Sequence, residues 1–168
     1  EWTNHWYGHR HVLYREVYEN AKCFKSWHCG VFRWSVDTLK DLWEPLRFYK
    51  ALHKQNLPCI AIPHHSAVKL GGTNWNYHDT AIERCVEIFS VHGNSEKPGC
   101  PFPCHHADYS KCVQNGMEKI FLKYHQIVGL IGSSDCHCGR PGYNDYPELK
   151  EVGALYHRYG TGLAVVLT

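Results

Sequence analysis

Apolar positions along the chain alternate between two periods. Val12 to Val17 reads as a short strand after a polar, histidine-rich stretch. Asp37 can cap a helix from Thr38 to about Gln55, with Leu39, Leu42, Trp43, Leu46 and Tyr49 on one face and Pro45 predicting a kink. Cys59 to Ile62 is a continuous apolar run of the kind buried parallel strands show, and it ends on Pro63-His64-His65. A second run, Cys85 to Phe89, ends on Ser90-Val91-His92. A helix from Tyr109 to about His125 follows, with Cys112, Val113, Met117, Ile120 and Phe121 as its stripe. The third run, Val128 to Ile131, passes through small residues to Asp135 and His137, and Glu148 to Tyr159 and Leu163 to Leu167 read as a closing helix and strand. Between Gly93 and His106 lies the longest irregular stretch, with prolines and two cysteines.

Strands separated by helices imply an α/β domain with a mostly parallel sheet, barrel or doubly wound. In such folds the carboxyl ends of the strands carry the site. Three successive runs end on His64/His65, on His92 and on Asp135/His137, so their polar ends are expected to share one rim. An isolated histidine at any one of these ends would read as a surface or hydrogen-bonding residue. Their regularity points instead to a site.

Composition narrows the chemistry. The 168 residues make one domain with a real core, and a net charge of +2 carries no signature of nucleic-acid binding. No apolar run approaches the ~20 residues that span a bilayer. The 14 histidines favour metal binding, because neutral imidazole is a common ligand. Nine cysteines is an odd number, so they cannot all pair within the chain, and they lean only weakly toward an extracytoplasmic location. Imidazole mixed with carboxylate suits Zn, Mn or Fe better than Ca or Mg, and more than one ion is expected. Such ions lower the pKa of bound water and make hydroxide available as a nucleophile.

Four stretches then carry a resemblance: "EWTNHWYGHRHVLYRE" (Glu1 to Glu16), "IPHH" (Ile62 to His65), "VEIFSVHGNSE" (Val86 to Glu96) and "GSSDCHCGRPG" (Gly132 to Gly142). In this order they resemble the motifs of the PHP superfamily, named for polymerase-associated and histidinol phosphatase domains, and in particular an uncharacterised branch of it. The resemblance implies a distorted (β/α)7 TIM-like barrel with metal ions at its rim, and phosphoester hydrolysis. It places Glu1, His9 or His11, His64 with its neighbour His65, Asp135 and His137 on metal positions; Glu87 also matches a family position but reads as a residue behind the ligands or in the core. The superfamily opens with a His-x-His strand that would precede Glu1. Residues 1–168 therefore read as a single PHP-like domain with an incomplete barrel, completed by a preceding segment or another chain.

Arg140 follows Asp135 closely and could clamp a phosphate of a phosphorylated small molecule, or pair with an acid such as Asp145. His92 flanks Gly93 together with Glu96 and could act on the substrate or cap a turn. Two readings from other classes remain open. Cys100-Pro-Phe-Pro-Cys104-His105 has the look of a c-type haem attachment with one extra residue, or of a loop knot. A non-catalytic subunit or scaffold with a degenerate site would suit the missing His-x-His.

Overall fold

The computed structural model describes residues 2–4, 6–14, 38–53, 59–133 and 135. The strand residues expected at Arg15 to Val17, the cap Asp37, the closing helix Glu148 to Tyr159 and the closing strand Leu163 to Leu167 lie outside them.

The first layer forms around β1 (Arg10–Tyr14), α1 (Leu39–His53) and β2 (Cys59–Pro63). Leu39, Leu42 and Leu46 recur at helical spacing on α1 and are at most 2% exposed. They close with Trp2, Cys59, Ala61 and Ile82 into one apolar cluster. Burying each leucine stabilises the layer by roughly 1.5–3 kcal/mol. The helix runs on through Pro45 without a break in its assignment.

The second layer contains β3 (Cys85–Ser90), the two-residue β4 (Gly93–Asn94), α2 (Val113–Tyr124) and β5 (Gly129–Gly132). Here β3 and β5 run parallel, Cys85 facing Gly129 and Glu87 facing Ile131, with an irregularity before the Phe89–Gly132 pair. A parallel pair needs a crossover, and α2 is that crossover. Val113, Gly116 and Ile120 on α2 turn inward, and Val113 and Ile120 pack with Trp75, Val86 and Val128. Phe121, expected on the apolar stripe, is 53% exposed. Two findings depart from the sequence reading. β1 runs antiparallel to β2, with Arg10 opposite Pro63 and Tyr14 opposite Cys59, so the strands are not all parallel. And β4, inside the stretch read as irregular, pairs antiparallel with the end of β3.

The backbone of α2 leaves no room at Gly116. A Cβ there would clash with the Trp75 ring, whose indole N–H donates to the Lys111 carbonyl at 2.7 Å. Alanine normally favours a helix over glycine by ~1 kcal/mol. At this position we expect the reverse: Gly116→Ala should lower stability by about 1–3 kcal/mol, because the fixed indole must move. Urea denaturation measures it, and a stabilised variant would contradict the packing.

Candidate metal centre

Strand ends deliver the site. β2 ends at Pro63, and His64 and His65 follow it directly. β3 ends at Ser90, two residues before His92, and β5 ends at Gly132, three before Asp135. Because β1 is antiparallel, it is its beginning that reaches the same rim, which brings His9 and His11 beside β2's end. The alternation of the strand puts these two rings on one side and Arg10 on the other.

The rings converge. His64 stacks on His11 at 3.8 Å between centroids and meets His65 at 4.2 Å. His65 lies 4.6 Å from His9 and 4.8 Å from His92. Asp135 closes the group, its Oδ2 lying 2.8 Å from His92 Nε2 and 3.7 Å from His64 Nδ1. Its Oδ1 is 3.9 Å from His11 Nε2. Among the described residues, three triads have ligand atoms within 4.8 Å of one another: His9, His64 and His65; His11, His64 and Glu87; and His65, His92 and Asp135. His65 and Asp135 both hold positive φ, 35° and 49°, which side-chain-bearing residues seldom adopt outside constrained sites.

Burial shapes the electrostatics. Desolvation, with neighbouring His64 and His9, holds His65 well below the ordinary 6.5, so the ring is neutral. Its Nε2 faces His9 Nδ1 at 3.2 Å, whereas its buried Nδ1 has no hydrogen-bond partner. A neutral, buried nitrogen without a partner inside a ring of imidazoles and carboxylates fits a transition-metal ligand. Glu87 is pushed up by burial, against the opposing pull of His64. Its Oε1 accepts the His65 backbone N–H at 3.0 Å, and its Oε2 accepts the Ser133 hydroxyl.

These two shifts oppose one another in acid. A lowered histidine pKa means the unfolded chain takes up the proton first, so stability is present above 6.5 and lost as pH falls toward the folded value. A raised carboxyl pKa contributes stability below its ordinary 4.5 that is lost as pH rises through the folded value. Glu87→Gln removes the second effect. In chelator, that variant should lose stability from pH 7 down to pH 5, by up to about 1.4 kcal/mol per pH unit. Urea midpoints across that range check the slope, and a flat profile would mean that His65 is not held neutral.

Of the residues singled out in the sequence, the structure brings together His9, His11, His64, His65, His92 and Asp135. Glu87, read as standing behind the ligands or in the core, shares a triad with His11 and His64. His64, in the turn after β2, is fully buried at 0% exposed, its ring packed against those of His9, His11 and His65. Glu1, His137 and Arg140 lie outside the described residues, as do Cys136 and Cys138. Cys100, Cys104 and His105 stand in the neighbouring loop and in none of the three triads. Cys100 and Cys104 are free thiols, as are the other cysteines among the described residues. Cys104 is buried, which pushes its thiol up to about 11, and it accepts from the Ser95 hydroxyl at 3.8 Å. Cys100 donates to Glu96 at 3.5 Å. The His105 N–H donates to the His92 carbonyl at 2.9 Å, which fastens that loop to the rim.

Sequence reasoning missed the support beneath the rim. Arg10, between the two β1 histidines, is fully buried and pairs with Glu83 at 2.8 Å. Glu83 also meets His78 at 3.0 Å. The signal in the sequence was the alternation of β1 itself, which turns the residue between His9 and His11 away from the site.

No family model matches this chain, and no curated protein and no solved structure matches it either, so the cluster stands on its own geometry.

Proposed function

We propose that the cluster is a divalent transition-metal centre that hydrolyses a phosphoester of a small molecule, on a distorted barrel of the PHP kind. The observation that carries this reading is the meeting of three strand ends and the start of β1 in one group of imidazoles and carboxylates. Nitrogen and oxygen donors in that mixture suit Zn, Mn or Fe.

A neutral imidazole offers one lone pair, so a shared ring serves one ion. Two of the triads share no residue: His11, His64 and Glu87 form one, and His65, His92 and Asp135 the other. The donor set therefore supports two ions, with His9 as the hydrogen-bonding partner of His65. When bound, such ions supply acidified water and positive charge against a phosphate oxygen.

The chain's own groups do the rest. In the hydrolysis, a water oxygen bonds to phosphorus, the P–O bond to the alcohol breaks, and the alcohol oxygen takes a proton. His92, at 19% side-chain exposure the imidazole of its triad nearest to solvent, would give its one lone pair to the ion, and the alcohol oxygen takes its proton from solvent at the rim. Arg140 is proposed, from its place in the sequence alone, to bind a phosphate oxygen bidentately.

The test is turnover of p-nitrophenyl phosphate by the protein loaded with Zn or Mn. We expect turnover that a chelator abolishes and that returns with metal. Metal retained without turnover of any phosphoester would favour the non-catalytic scaffold, and a Soret band in the protein as isolated would favour the haem reading.

A further inference from the structure

Phe102 is an aromatic residue at φ 55°, in the left-handed region, and it is 59% exposed. The loop that presents it is stitched to the rim on two sides. Toward the His64–His65 turn, Lys69 N donates to the His106 carbonyl at 3.0 Å and Asp108 N to the Ala67 carbonyl at 2.6 Å. Toward β4, Asn94 N donates to the Phe102 carbonyl at 2.8 Å and His105 N to the His92 carbonyl at 2.9 Å. Phe102 also meets Phe89 edge to face, with centroids 6.3 Å apart. Phe89 itself adjoins the segment that leads to Asp135, because its carbonyl accepts the Ser133 N–H at 2.9 Å.

An exposed phenylalanine backed by a half-buried one thus sits in backbone register against both segments that deliver His92 and Asp135. We propose that Phe102, backed by Phe89, is a specificity-determining wall that takes the aromatic ring of an aryl phosphate while the metal cluster takes its phosphate. The proposal rests on the phosphoesterase reading and adds the substrate class. The cluster supplies polar donors for the anionic end only. An aromatic leaving group can stack on, or meet edge to face, the exposed part of the Phe102 ring, and an aliphatic alcohol cannot.

The experiment compares metal-loaded wild type and Phe102→Gly on phenyl phosphate and glycerol 2-phosphate. Glycine takes the positive φ without strain, so the ring is removed and the loop is kept. We expect KM for phenyl phosphate to rise about tenfold with kcat nearly constant, KM for glycerol 2-phosphate to hold, and Phe102→Tyr to restore the difference. Calorimetry with phenylphosphonate and methylphosphonate reads binding without turnover. If neither ester is turned over but phenylphosphonate binding weakens in Phe102→Gly alone, the wall stands and the phosphoesterase reading falls. Equal changes for aryl and alkyl ligands, no change in either, or no binding of either phosphonate would overturn the wall.

Discussion

Glu83→Ala should destabilise the protein by about 3–5 kcal/mol. Arg10 and Glu83 have side chains 0% and 1% exposed and meet at 2.8 Å. Burial alone would raise the Glu83 carboxyl, yet Arg10 and His78 hold it below its ordinary range. Truncation leaves the guanidinium in an apolar layer with its carboxylate partner gone, although Nη1 still donates to the Tyr7 carbonyl at 2.8 Å. Breaking such a pair costs far more than the pair contributes over an apolar replacement, because one buried charge stays behind. Urea denaturation in chelator isolates this effect from metal binding. A loss below about 1 kcal/mol would mean that water reaches Arg10 and that the pair is no anchor. Since Arg10 lies between His9 and His11, the same variant should also weaken metal binding.

The second large effect concerns the ions separately. Asp135→Asn should remove the ion held with His65 and His92, and His64→Gln the ion held with His11 and Glu87, each by at least about 100-fold in affinity. Both replacements are close to the native side chains in size, which matters because His64 is fully buried and truncation would open a cavity. Calorimetric titration of each variant should then show one tight site where the wild type shows two. Two undiminished sites in Asp135→Asn would remove that residue from the centre.

Much of this site was legible in the chain because its rim positions follow apolar runs. A buried strand announces itself as Cys-Ile-Ala-Ile, so the residues that follow it, His64 and His65, can be placed without coordinates. The same holds for His92 after β3 and Asp135 after β5. Strand direction was not legible. Five residues of β1 alternate alike whether they run with β2 or against it, and only the pairing of Arg10 with Pro63 decides. The antiparallel course brings the start of β1, and not its end, to the rim. Glu87 was read as standing behind the ligands or in the core, because a lone acid in an apolar strand looks like a core residue. Its bonds to His65 N and Ser133 come from two other segments. Arg10 and Glu83 are 73 positions apart, and no local pattern links them. Phe121 obeyed the helical period yet stayed exposed, because Val113, Gly116 and Ile120 fill the face that α2 presents inward.

The most direct measurement of the central claim is the metal content of the purified protein by inductively coupled plasma mass spectrometry, before and after dialysis against Zn or Mn. Two disjoint triads predict about two transition-metal ions per chain, reduced to about one in Asp135→Asn with the circular dichroism unchanged. A folded protein that retains no ion after dialysis would contradict the account, and the imidazole cluster would then be a buried packing arrangement without a metal.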